Sequence, residues 1–98
     1  MELKWTELAV DDLERIRDYI AKDSEFYALR LIERVFQVIE RLKLFPESGR
    51  VVPEINDSNI RELILMNYRI IYKIDQDFIY ILAIIHGSRN ISNINLNP

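Results

Sequence analysis

Ninety-eight residues with 49% hydrophobic and 10% aromatic content are enough to bury a core, and the expectation is a single domain over residues 1–98. The absence of cysteine excludes a disulfide framework, a thiolate metal site and a cysteine nucleophile. A net charge of −3 argues against a chain whose affinity rests on neutralising phosphates. The charge is unevenly spread: residues 1–60 hold 9 of the 13 Lys and Arg and 13 of the 16 Asp and Glu, leaving 4 against 3 in residues 61–98. The C-terminal part is therefore slightly basic.

In chain order, Glu2–Trp5 predicts a short edge strand. Thr6 reads as a helix N-cap, with Glu7, Asp11 and Asp12 early in the helix where the macrodipole favours anions. Ala9, Leu13, Ile16 and Ile20 recur at the helical period, predicting a first helix over 7–22. Asp23-Ser24 interrupts it and caps a second helix, whose apolar stripe is Ala28, Ile32, Val35, Ile39 and Leu42. This helix is expected to end at Phe45, because Pro46 disfavours helical geometry in the residue before it. Two amphipathic helices joined so tightly predict an antiparallel hairpin.

Residues 46–60, with two of the three prolines, form the one expected long loop. Strands are predicted over 61–65, 68–74 and 78–85. In the second of these, Tyr68, Ile70, Tyr72 and Ile74 share one face, and Arg69, Ile71 and Lys73 share the other. Residues 78–85 are apolar on both faces, as a central strand requires. The asparagine-rich tail leaves Ile91 and Ile94 either frayed or waiting for a partner. The fold class read from this order is α+β: an N-terminal antiparallel helical hairpin packed on a small, mainly antiparallel sheet.

The opening MELKWTELAVDD has no apolar run followed by a cleavage site, so no signal peptide is expected. The apolar stretch 78–85 is too short to span a bilayer. A cytoplasmic chain without membrane contact is the expectation, with no cofactor and, given a single histidine and no cysteine, no metal site.

The residues with chemical potential lie in the second half. Arg61, Arg69, Lys73 and Arg89 are its cations, and Arg69 and Lys73 share a face. An arginine fork suits phosphate or carboxylate, so this face is either an anion site or charged docking patch, or else a solvated sheet face where Arg69 pairs with Glu62 or with an acidic residue of a helix. Both readings stand at this point. His86 is more readily structural than catalytic, since a general acid or base needs a proton partner within hydrogen-bond reach. Ser88 lacks a nucleophile-elbow setting and reads as a turn residue. Glu47, Glu54 and Asp57 read as solvated loop charges, and Gly49-Arg50 as a turn.

The ordered set of short motifs resembles the RelE/ParE superfamily of type II toxin–antitoxin toxins. It runs from Lys4-Trp5-Thr6, Asp12-Leu13 and Tyr19-Ile20 through Pro46-Glu47-Ser48-Gly49-Arg50, Pro53-Glu54 and Arg61-Glu62-Leu63. It continues with Tyr68-Arg69-Ile70-Ile71-Tyr72-Lys73 and closes on Ile84-Ile85-His86-Gly87-Ser88-Arg89-Asn90, in a form common among ParE-like members. The resemblance implies a compact α+β toxin held by a cognate antitoxin, in a toxin–antitoxin hetero-oligomer. It implies one of two targets: DNA gyrase, blocked without hydrolysis, or the ribosome and its messenger RNA, cut by an endoribonuclease. For the ribonuclease alternative the candidate catalytic residues are Arg61, Arg69, Arg89 and His86. No tyrosine or histidine follows Arg89 to activate a 2′-hydroxyl, which favours the ParE-like, non-hydrolytic reading.

Overall fold

The computed structural model describes residues 1–91 and Leu96. Strand β1 (Glu2–Trp5) leads into helix α1 (Glu7–Ala21) and helix α2 (Glu25–Glu40). A 3-10 turn (Arg41–Lys43) follows, then strands β2 (Arg50–Val51), β3 (Ile60–Leu65), β4 (Tyr68–Asp75) and β5 (Phe78–His86). The sheet order is β1-β5-β4-β3-β2. β1 runs parallel to β5 and every other pair is antiparallel. This is the expected α+β hairpin on a mainly antiparallel sheet, with the N-terminal strand on one edge.

Both helix starts follow from their caps. The hydroxyl of Thr6 accepts the Ala9 amide at 3.1 Å, and that of Ser24 accepts the Tyr27 amide at 3.2 Å, each filling an orphan donor of the first turn. The second helix differs from expectation at its far end. Regular helix stops at Glu40, and a tighter turn carries the chain on, with the amides of Leu44 and Phe45 both bonding the Arg41 carbonyl. That tightening keeps Leu42 fully buried before Pro46 forces an exit.

Both faces of the sheet are packed. Under the helices lie Ala9, Leu13, Leu31, Val35 and Ile39 against Leu65, Ile70, Tyr72, Ile79, Ile81 and Ile84. The outer face buries Val52, Ile71, Leu82, Ala83, Ile85 and Ile91, beneath the 46–60 segment. Ile91 is therefore covered within the chain and needs no partner; Ile94 lies outside the described residues. The 46–60 segment also contributes β2, a strand of two residues that is too short to show any periodicity.

One irregularity ties the layers together. Ile71 pairs with Ala83 but Tyr72 pairs with Ile81, so Leu82 is an extra residue, a β-bulge. The bulge resets the alternation, which is why Ile81 and Ile84, not Ile81 and Ala83, face the helices. Helix α1 docks on it. Thr6 donates through its hydroxyl to the carbonyls of Ile81 at 3.0 Å and Leu82 at 3.1 Å, and Asp12 accepts the Ile84 amide at 2.9 Å.

Candidate functional site

Arg69 leaves the middle of the sheet on its outer face, beside Ile64 across the strand pair. It is 6% exposed, so its charge is nearly out of water and needs partners. Two carboxylates supply them. Its Nε donates to Glu62 Oε1 at 2.5 Å, while Nη1 and Nη2 donate to Glu54 Oε2 and Oε1 at 2.7 and 2.8 Å, a fork-on-fork pair. Nη1 also donates to the Arg89 carbonyl at 3.2 Å. The other oxygen of Glu62 takes Arg50 Nε at 2.6 Å, so Arg50, Glu62, Arg69 and Glu54 form an unbroken chain of alternating charge.

The electrostatics follow from this geometry. Hydrogen bonds from Arg69 hold the Glu54 carboxyl at a pKa of about 2, with its own amide and that of Ile91 lowering it further. The same two carboxylates raise the Arg69 pKa, Glu54 most. The chain fastens the 46–60 segment over the outer apolar cluster. Glu54 is thus no solvated loop charge. Its role was hidden because it stands fifteen positions from Arg69 and meets it only through the path of the loop. Arg69 pairs with Glu62, as the second reading expected, but it is nearly buried and not solvated, and its other carboxylate comes from the loop and not from a helix.

A second fastening lies beneath the same segment. The Tyr72 hydroxyl is buried; it donates to the Pro46 carbonyl at 2.7 Å and accepts the Gly49 amide at 3.0 Å. Burial pushes its pKa up, with the Gly49 bond pulling it back. Gly49 is required here: a Cβ would stand 2.6 Å from the Glu62 carbonyl oxygen and 2.7 Å from the Tyr72 hydroxyl. Arg61 points to the opposite face from Arg69, since it pairs across the strands with Tyr72. Its guanidinium donates to the carbonyls of Ser58 at 2.9 Å and Gly49 at 3.0 Å.

Of the four residues expected for the ribonuclease alternative, the structure brings Arg69 and His86 to one cleft of about 480 Å³, together with Arg50, Asn67, Tyr68 and Ser88. Arg89 reaches Arg69 through its main-chain carbonyl, and Arg61 lies on the other face. His86 is exposed. Its Nδ1 lies 2.8 Å from the Ser88 hydroxyl and 3.3 Å from the Ser88 amide nitrogen. Among the described residues no group of three or more His, Asp or Glu is placed to hold a metal ion, and no helix is long and apolar enough to cross a membrane.

Asp12 is a further missed residue. The sequence suggests a dipole-facing carboxylate, but its side chain is 5% accessible, pairs with Arg15 and accepts the bulge amide of Ile84. Burial raises its pKa, while the Ile84 bond, Arg15 and Arg89 pull it down. Its position three after Ala9 and four before Ile16, on the apolar stripe, was the available signal.

A larger groove of about 980 Å³ opens between α2 and the β3–β4 turn. Phe26, Tyr27, Ile64 and Met66 line it and are 57–73% exposed, with Arg30 and Arg34 beside them. Met66 holds a left-handed backbone (φ 54°) in the β3–β4 turn.

The architecture matches that of a chromosomal ParDE TA system from P. aeruginosa, with a TM-score of 0.72 and 26% identity over 88% of this chain and 95% of that one. A family model described as ParE toxin of type II toxin-antitoxin system, parDE, matches residues 3–91. The chain belongs to the ParE toxin family. Toxin RelE2 of Caulobacter vibrioides is 33% identical over 89 residues, covering 90% of this chain and 97% of that protein. Y4kP of Sinorhizobium fredii is 34% identical over 87 residues, covering 87% and 86%. Membership of the ParE family makes the chain a type II toxin and implies a cognate antitoxin as its partner. The Arg50–Glu62–Arg69–Glu54 chain and the Tyr72 clasp hold this ParE-family fold in shape.

Proposed function

We propose that this ParE-family toxin stops growth by blocking DNA gyrase through protein–protein contact, in the cytoplasm, and is neutralised when its antitoxin covers the groove between α2 and the β3–β4 turn. The observation that carries the non-hydrolytic reading is the state of Arg69. Both of its outer nitrogens bond Glu54 and its Nε bonds Glu62, so its fork is already turned onto carboxylates and not toward a scissile phosphate. A ribonuclease needs a cation for the phosphate and a group to take the 2′-hydroxyl proton in the same place. Here Arg61 faces away from Arg69 and does not line the cleft that Arg69 shares with His86.

The groove supports the antitoxin part of the reading. Its exposed aromatic and aliphatic walls, flanked by Arg30 and Arg34, suit an amphipathic segment that brings apolar anchors and carboxylates.

Inducible expression without the antitoxin tests the target. Stalled gyrase–DNA complexes, a DNA-damage response and inhibition of supercoiling by the purified toxin are expected. Early translation arrest with cut transcripts would instead identify the ribosome and messenger RNA as target.

A further inference from the structure

Helix α2 carries an exposed row of side chains that is complementary to its own reverse. Phe26, Arg30, Glu33, Gln37, Glu40 and, past the tight turn, Leu44 are all exposed, and they follow one another at alternating steps of four and three. That spacing keeps a row on one line of a helix, as in a coiled-coil seam. The first four line the groove beside the β3–β4 turn. The two ends of the row are large and apolar, Phe26 at 61% and Leu44 at 78% exposed. Among the described residues neither Arg30 nor Glu33 has an ion-pair partner; Arg30 has only the Phe26 ring, 5.7 Å from its guanidinium. Glu40 holds Lys43 of its own chain at 2.6 Å, yet its side chain stays 63% exposed and open to a second cation.

Laid antiparallel on a second copy about a two-fold axis, the row meets matching chemistry throughout. Phe26 faces Leu44 of the second copy, Arg30 faces Glu40, and Glu33 faces Gln37, each contact occurring twice. The same arrangement lays the acidic start of α2, at Asp23 and Glu25, beside the basic end of the other helix, at Arg41 and Lys43. A parallel pairing would instead set Arg30 against Arg30 and Glu33 against Glu33.

We propose that the free toxin pairs with a second copy of itself through α2, antiparallel, so that each α2 lies over the groove of the other until the antitoxin displaces it. A single helix face with a polar centre is a small contact, so the pair is weak, with a Kd of roughly 10–100 µM. The pairing is independent of the gyrase target; only its displacement by antitoxin rests on the groove reading above.

Sedimentation equilibrium of the free chain, with charge reversal, tests it. Wild type should pass from monomer to dimer across that concentration range, and less readily as salt is raised. Arg30→Glu or Glu40→Arg alone sets like charges together twice and should weaken pairing at least about tenfold. The two together should restore it to within about threefold of wild type. Both positions are exposed, so the fold is kept. A wild type still monomeric at about 500 µM, well above that Kd range, overturns the proposal. So do single variants that pair like wild type, or a double variant that stays monomeric. Crosslinking reads the register without altering the Arg30–Glu40 contact. The chain has no cysteine, so a mixture of Glu33→Cys and Gln37→Cys chains should form a disulfide-linked heterodimer. Crosslinking no faster in the mixture than in either variant alone refutes the register. Added antitoxin should stop the crosslinking; persistence in the toxin–antitoxin complex would sink the shared groove while the pair itself stands.

Discussion

Replacing Glu54 by Gln should destabilise the fold by about 2 kcal/mol at neutral pH, and the loss should shrink on acidification. The magnitude follows from the Arg69 pair. Glu54 has a pKa of about 2 in the folded chain against 4.5 when free. At about 1.36 kcal/mol per unit that difference is worth at most about 3.4 kcal/mol. Partial exposure of the side chain, 28%, screens it, and about 2 kcal/mol is the working figure. The sign is set by the direction of the shift. A folded-state value below the unfolded one means that the carboxylate stabilises the fold fully above pH 4.5, and that this contribution drains as pH falls toward about 2. By pH 3 roughly two-fifths of it remains. Urea denaturation followed by circular dichroism, on wild type and Glu54→Gln at pH 7 and pH 3, measures both numbers, and unchanged m-values would show that the comparison is of stability alone. A difference under about 0.5 kcal/mol at pH 7 would refute the clasp, because surface charges cost no more than that. So would a difference equally large at both pH values, which would mean the loss is one of packing and not of charge.

Gly49→Ala should cost more than about 2 kcal/mol, since its Cβ would meet the Glu62 carbonyl at 2.6 Å and the Tyr72 hydroxyl at 2.7 Å; a thermal melt reads it. Tyr72→Phe should cost about 1–3 kcal/mol by stripping the Gly49 amide and the Pro46 carbonyl of their partner. Hydrogen exchange should speed up at Gly49 in particular. Asp12→Ala should cost about 1–3 kcal/mol and raise exchange at the Ile84 amide, while Asp12→Asn, which keeps an acceptor there, should cost distinctly less. Phe26→Asp, at a groove residue 61% exposed, should weaken antitoxin capture by at least about tenfold in a calorimetric titration and leave Tm unchanged.

How much of this the sequence discloses depends on whether a pattern is local. The caps Thr6 and Ser24, the stripe from Ala9 to Ile20 and the alternation along residues 68–74 each repeat within a few positions, and each appears where periodicity puts it. The bulge at Leu82 leaves no such trace. Residues 78–85 are apolar on both faces, so moving the phase by one residue exchanges one aliphatic for another and the letters look the same. The site is harder still, because its members are far apart: Arg50 and Glu62 meet through a two-residue strand, and Glu54 reaches Arg69 across a loop with no period. The charge count shows the consequence. Residues 61–98 hold 4 cations against 3 carboxylates and look basic, yet the acid that neutralises Arg69 most directly belongs to the acidic first part of the chain. A basic stretch in sequence is therefore not a basic surface in space. The chemistry that makes an arginine fork look like a ligand site is the same chemistry that makes it a good clasp, and only the position of the nearest carboxylate separates the two.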